Sequence, residues 1–306
     1  MHRDVKRIID DIKSLKIQGA RNVAKMAIKG LAIAAKHSKA KTPTSFYQEM
    51  NKTVDALFLS RPTEPMMRNL LSQGLEKIKK EKVPVQSLVK LLVLHEKEVV
   101  KKMEVDAKNL AEYGAKLIPD GALVLTHCHS STTTRILIQA KKMRKKFKVV
   151  AFETRPRYQG RVTAAELAKA GIDVTLAVDG AMHLFMKKAD IVIVGADSIT
   201  SRGDLINKIG TATLAHIAKT NDVSFYSAAE LSKYSPMTIF GTREKIEERD
   251  HKEVWDRAPK RVKIKNPAFE ATSSKYINGY ITELGVIPPQ SFFTMATQKL
   301  GIRLYE

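Results

Sequence analysis

The segment Leu125-Thr126-His127-Cys128-His129-Ser130-Ser131-Thr132 carries the one cysteine among 306 residues, between two histidines and ahead of three hydroxyl side chains. A lone cysteine is commonly a small buried apolar residue. This one has polar neighbours and follows the apolar run Ala122 to Leu125, so it reads as a thiol presented at a strand end. Ser130, Ser131 and Thr132 stand where helix N-caps belong. The helix start they predict would favour an anion and draw the thiol toward its reactive thiolate.

A second candidate is Asp197, just past the apolar run Ile191 to Val194 and Gly195-Ala196. A carboxylate there serves as a turn former or N-cap; partly desolvated, it would be a general acid near neutral pH. Asn207-Lys208-Ile209-Gly210-Thr211 reads as a helix opening that offers an amide, an ammonium and a helix dipole to a phosphate. It is not a Walker A loop, because Gly203 to Lys208 lacks the glycine before the lysine. Arg202-Gly203-Asp204 reads as a turn. His127 and His129 stand two apart with one cysteine and no evident fourth ligand, which argues against a metal. No Ser-His-Asp elbow and no G-x-G-x-x-G supports a hydrolase or a dinucleotide enzyme.

The elements that must position these groups follow from hydrophobic period. Ile8, Ile12 and Leu15, then Val23, Ala27, Leu31 and Ala34, recur at helical spacing, with Gly19 as a break or N-cap. After a turn at Thr42-Pro43, helices are predicted over Phe46 to Leu59 and Met66 to Lys80. A longer one carries Val85, Leu88, Leu92, Val99, Met103 and Leu110. Between the first pair, Pro62 imposes an extended or turn backbone on Arg61. Residues 1–115 therefore read as a helical N-terminal domain. From Asp120-Gly121 onward, strands at Ala122–Leu125, Lys148–Phe152, Val174–Val178, Ile191–Val194, Val223–Tyr226 and Tyr280–Thr282 alternate with helices, including one from about Thr132 to Lys145. Residues 116–306 thus read as a Rossmann-like, doubly wound parallel sheet, making an α/β protein with right-handed crossovers. The residues after the strands are Cys128, Glu153-Thr154-Arg155-Pro156, Asp179, Asp197, and Glu230 with Lys233. A thiol, several carboxylates and cations gather on one sheet edge, a set suited to proton transfer beside an anionic substrate.

Composition bounds these readings. Lys and Arg number 53 against 32 acids, a formal charge of +21. The cations are spread along the chain with few aromatics among them. The densest group, Lys141 to Lys146, ends a predicted helix where cations suit the dipole, so a nucleic-acid partner is not expected. No apolar run approaches the ~18 residues of a membrane span, no signal-peptide pattern opens the chain, and a cytoplasmic location is expected.

Thr126-His127-Cys128-His129-Ser130, Glu153-Thr154-Arg155-Pro156, Gly195-Ala196-Asp197-Ser198-Ile199 and Asn207-Lys208-Ile209-Gly210-Thr211 resemble the archaeal ribose-1,5-bisphosphate isomerases. These share a superfamily with methylthioribose-1-phosphate isomerases and the regulatory subunits of the translation-initiation guanine-nucleotide exchange factor. The likeness runs from Gln18-Gly19-Ala20 through Arg61-Pro62-Thr63 to Asn266-Pro267-Ala268-Phe269 and Ile281-Thr282-Glu283. The isomerases carry the Cys and Asp pair that the translation subunits generally lack, which favours the enzyme branch. The resemblance implies Cys128 as proton acceptor, Asp197 as proton donor, and no cofactor. It places Gln18, Gly19, Ala20, Arg21, Arg61, Ser130, Ser131, Thr132, Asn207, Lys208 and Lys233 around substrate and phosphates. It further implies a place in nucleotide salvage and a homo-oligomer, a hexamer built from dimers; activation by an adenylate stays open. The family's Arg-Gly-Ala-Gly turn reads Gln18-Gly19-Ala20-Arg21 here, and a glutamine cannot neutralise a phosphate. The family's Asp-x-Thr-Pro-Pro segment reads Glu270-Ala271-Thr272-Ser273-Ser274.

Overall fold

The computed structural model describes residues 1–79 and 81–302, which fall into two compact units: Met1–Val105 with Leu300–Ile302, and Asp106–Lys299. The N-terminal unit is helical, as its periodicity predicts: α1 Arg3–Lys13, α2 Ala20–Lys36, α3 Pro43–Ser60, α4 Pro65–Lys79 and the first part of α5, Val85–Leu117. Lys80, expected to close α4, lies outside the described residues. The three- and four-residue spacing that buries Val5, Ile8 and Ile12 on α1 sets them in one core with Val23, Ala27 and Leu31 of α2 and Leu57 of α3. Gly19 is the N-cap of α2 with φ +80, a conformation that glycine adopts at no steric cost. Thr42 caps α3 through a box with Ser45, and Pro43 opens it. Arg61 ends α3 in extended backbone, φ −150 and ψ 85, ahead of Pro62.

The second unit is the parallel α/β sheet. Its elements are β1 Ala122–His127, α6 Ser131–Lys142, β2 Phe147–Phe152, α7 Gln159–Lys169, β3 Asp173–Ala177, α8 Met182–Met186 and β4 Ile191–Val194. They continue with β5 Ser198–Ile199, β6 Leu205–Lys208, α9 Thr211–Thr220, β7 Ser224–Ala228, β8 Phe269–Thr272, β9 Gly279–Thr282, β10 Gly285–Ile287 and α10 Pro289–Leu300. Seven strands form one sheet in the order β10-β9-β7-β4-β1-β2-β3, parallel except for β10. The centre is apolar on both faces: Val124 and Leu125 of β1 and Ile191 to Val194 of β4 are at most 3% exposed. Each contributes about 1.5–3 kcal/mol by leaving water.

Strand order reverses between β1 and β4, since β2 and β3 follow on one side and β7 and β9 on the other. The crevice beyond the carboxyl ends of such a pair is where this architecture binds ligands. β5, β6 and β8 form a separate antiparallel sheet beside it. Asn207 and Lys208 therefore lie on a strand, where a helix opening was expected, and Arg202-Gly203-Asp204 is the hairpin turn between β5 and β6. The helix after Cys128 ends at Lys142 where Lys145 was expected, because Arg144 takes a left-handed φ of 63. Among the described residues no helix is long and apolar enough to cross a membrane.

Candidate active site

Cys128 follows β1 directly and Asp197 follows β4, so both sit at the crevice that the strand order defines. Register fixes this: Leu125 pairs with Val192, and each candidate lies a few residues beyond its member of that pair. The two loops meet closely. A Cβ on Gly195 would fall 2.6 Å from the Cβ and Oγ of Ser130, so only glycine lets the loop after β4 pass the N-cap of α6. Ser130 Oγ accepts the Thr133 N–H at 3.4 Å and caps α6 as expected; Ser131 is exposed and Thr132 buried.

Cys128 adopts φ +66, a left-handed conformation costly for a side-chain-bearing residue. Hydrogen bonds on both sides of it impose that geometry. Its N–H donates to Thr154 Oγ1 at 2.8 Å, and its carbonyl accepts from Thr163 Oγ1 at 2.9 Å. Thr154, itself at φ +64, donates its hydroxyl to Phe152 O at 3.0 Å. Asp179 accepts the successive N–H groups of Thr154 and Arg155 at 2.8 and 2.7 Å. His127 Nε2 lies 2.8 Å from Ile209 O and so carries the ring proton. Burial holds the His127 pKa below the usual histidine value, which keeps the ring neutral. Gly210, at φ +100, leaves room for that ring; a Cβ there would lie 2.8 Å from Nε2.

The loop carrying Asp197 is pinned at three successive residues. Ser227 Oγ donates to Gly195 O at 2.9 Å, the buried Lys233 Nζ to Ala196 O at 2.6 Å, and Asp197 N–H to Ile206 O at 3.0 Å. Asp197 itself is half-buried. Lys208 is 6% exposed, and its charge acts on Cys128 and Asp197 as well as on Arg249 and Glu253. Desolvation lowers its pKa while the charges of Cys128, Glu253 and Asp197 oppose that shift.

Two expectations are corrected by this geometry. The thiol was expected to be acidified by the start of α6. Instead burial, with help from the Asp197 and Asp179 carboxylates, pushes Cys128 up to about 12; the His129 hydrogen bond and Lys208 oppose this and are outweighed. The start of α9 was expected to seat a phosphate. Its Gly210 and Ala212 N–H groups instead donate to Glu270 Oε1 at 2.6 and 2.9 Å, so a protein carboxylate already fills that seat. Asn207 Nδ2 donates to Thr211 Oγ1 at 3.0 Å beside it.

The remaining candidates belong to the N-terminal unit. Gln18 is exposed and donates Nε2 to Leu15 O at 2.7 Å. Gly19 is exposed and Ala20 buried. Arg21 is 8% exposed, with Nη2 3.0 Å from Met103 O and 3.4 Å from Glu104 Oε1. Arg61 Nε faces Glu64 Oε1 at 3.6 Å. Thr154, Asp179 and Glu270 were not singled out as site residues. Their signals were position alone: the first two come just after strands, and Glu270 stands where the family motif departs.

A thiol desolvated by burial, a half-buried carboxylate and a buried lysine stand at the switch point of a doubly wound sheet, in a chain that opens with a separate helical unit: an α/β protein of the doubly wound class. The chain belongs to the initiation factor 2 subunit family, whose model matches residues 16–289. It is 38% identical to the ribose 1,5-bisphosphate isomerase of Pyrococcus furiosus, covering 98% of this chain and 95% of that protein. It is 35% identical to the methylthioribose-1-phosphate isomerase of Geobacter sulfurreducens, covering 94% and 88%. Its fold matches the crystal structure of the Pyrococcus horikoshii translation initiation factor eIF-2B with a TM-score of 0.82 at 32% identity, covering 94% of this chain and 98% of that one.

Proposed function

We propose that the chain is a sugar-phosphate isomerase that converts ribose 1,5-bisphosphate into ribulose 1,5-bisphosphate, with Cys128 and Asp197 as its acid–base pair. The observation that carries this reading is the convergence of a thiol from β1 and a carboxylate from β4 on the switch-point crevice, with the charge of Lys208 acting on both. Relatives at 33–38% identity named ribose 1,5-bisphosphate isomerase support the substrate.

The 1-phosphate blocks the anomeric oxygen, so no free aldehyde forms and the ring must open with acid help. Asp197 in its protonated form gives a proton to the ring oxygen as the C1–O bond breaks, while the Cys128 thiolate takes the proton from C2. The product of that step is an enol phosphate. Cys128 then returns a proton to C1, and Asp197 takes the proton of the C2 hydroxyl as the ketone forms. Both groups end as they began. A thiol held near 12 is protonated at rest, and the ionised Asp197 is one reason. Moving one proton from sulfur to Asp197 produces the base and the acid together. That transfer removes the negative charge opposing the thiolate, and Lys208 stabilises what remains.

Substrate comparison tests the reading: turnover of ribose 1,5-bisphosphate well above ribose 5-phosphate and methylthioribose 1-phosphate is expected. The Geobacter relative and the uncharged Gln18 favour methylthioribose 1-phosphate as the second reading, and turnover of that sugar alone would establish it. Reaction in deuterium oxide separates the routes. Solvent label in the product accords with proton transfer, and full retention of the substrate hydrogen would indicate a hydride shift. A cytoplasmic hexamer built from dimers, acting in nucleotide salvage, completes the proposal, and the activation by an adenylate that the resemblance leaves open is decided by assay. Light scattering and rates with added AMP check its assembly and activation.

A further inference from the structure

The sheet edge opposite the candidate active site carries a second concavity, of about 510 Å³. It lies at the amino ends of β1, β2 and β3, where Lys148 pairs with Leu123 and Asp173 in register. Strands of six residues, at ~3.3 Å each, separate it from Cys128 and the loop after β2. Its lining includes Lys141, Arg144, Lys145, Lys146 and Lys148, opposed by Asp173. The cations come from the end of α6, its connection to β2, and β2 itself.

They are not equivalent. Lys145 is committed to the chain, since its Nζ donates to the carbonyls of Lys116 and Ile118 at the end of α5. Lys148 Nζ lies 3.7 Å from Asp173. The other nearby acid, Asp120, spends Oδ1 on the Lys146 N–H at 2.6 Å. Lys141, Arg144 and Lys146 are exposed and carry no ion pair among the described residues. The dipole of α6 would be satisfied by the lysines of its last turn and does not explain cations from the connection and β2. Arg144 closes α6. It occupies the left-handed position just past the C-cap of α6, φ 63, where glycine is the residue without steric cost. Leu15 and Asp222 take the same conformation just past the C-caps of α1 and α9, so it is a helix ending that a glycine at 144 would also make.

We infer that this cleft binds a chain of three or more phosphates, held by Lys141, Arg144 and Lys146. One monophosphate would leave the cluster short of neutralisation and the cavity largely unfilled. Within the lining the one aromatic ring is Phe147, itself 9% exposed, so it offers a base no stacking platform and the phosphates carry recognition. The phosphate chain comes either free or as the tail of a nucleoside triphosphate; the two sources share this chemistry.

Calorimetric titration with inorganic tripolyphosphate tests the assignment on the whole chain, with ATP and AMP as companion ligands. The expected result is saturable tripolyphosphate binding that weakens several-fold between about 50 and 300 mM salt, as screening requires. Arg144→Gly relieves the left-handed backbone, so its fold is at least as stable, and Arg144→Gly/Lys146→Ala is expected to bind at least ~10-fold more weakly. ATP equal to tripolyphosphate assigns the free chain, and ATP tighter assigns the nucleotide; both support the inference. It is overturned if the double variant loses AMP binding as fully as tripolyphosphate binding, if it binds tripolyphosphate as the wild type does, or if no tripolyphosphate binding occurs at low salt. None of these outcomes depends on which sugar phosphate the opposite edge processes.

Discussion

Cys128 departs from the usual pattern of a reactive cysteine, because burial and two carboxylates hold its proton on. Alkylation by iodoacetamide should therefore be slow at pH 7 to 8 and rise about tenfold per pH unit toward 12, with no plateau near 8.5. Replacing the charge by Asp197→Asn should lower the thiol pKa and speed alkylation at pH 8 several-fold, whereas Lys208→Met should slow it. A plateau near 8.5 in the wild type would contradict the enclosure described for this thiol. The same scale explains Asp179. It grips two successive N–H groups of the loop whose threonine holds the Cys128 N–H. Asp179→Asn keeps one acceptor oxygen and removes the charge, so it should lower kcat less than Asp179→Ala while shifting the alkylation profile downward. Equal profiles for wild type and Asp179→Asn would remove the carboxylate from the account.

Elements meet at glycines whose need is steric. A Cβ on Gly160 would lie 1.8 Å from Phe152 O, so α7 packs on the end of β2 through that bare position. Gly160→Ala should cost several kcal/mol, ~3 or more as overpacking at a backbone contact, and lower Tm in a thermal melt. An unchanged Tm would mean that the helix shifts without penalty. The alternation of strands and helices from Ala122 onward was readable in the sequence, because buried β1, β2 and β4 are short continuous apolar runs. β5, β6 and β8 were not. Each has four residues or fewer, and Asn207-Lys208 looks like the polar opening of a helix. β6 is a strand because antiparallel partners on both sides satisfy its backbone, a tertiary effect with no local signature. The location of Cys128 and Asp197 was legible because each comes within a few residues of an apolar strand's end. The thiol's pKa direction was not, because it depends on burial and on carboxylates after β3 and β4 that only the fold brings near.

At the scale of the molecule, both units contain a histidine kept neutral by burial: His95, 3% exposed and 3.3 Å from Leu70 O, and His127. Their folded pKa values lie below the unfolded value near 6.5, so the unfolded chain binds more protons as pH falls through that value. Stability from these groups is fully present above about 6.5 and declines below it, by up to ~1.4 kcal/mol per pH unit for each histidine. Denaturant unfolding at pH 7.5 and 5.5 should show that loss, and His95→Gln should reduce the pH dependence. A stability independent of pH across this window would show that neither ring is held neutral. The net charge of +21 belongs to this scale as well, drawing anionic sugar phosphates toward the molecule at low ionic strength.

In the proposed function the thiol after β1 and the carboxylate after β4 act as one acid–base pair on a phosphorylated sugar. Its most direct test is kcat for ribose 1,5-bisphosphate in wild type, Cys128→Ser, Asp197→Asn and the double variant, with folding checked by circular dichroism. Each single variant should lose about 10²–10⁴-fold in kcat. Because the two groups act as a unit, the double variant should lose little more than either one. Folded single variants that turn over at the wild-type rate would contradict that pairing.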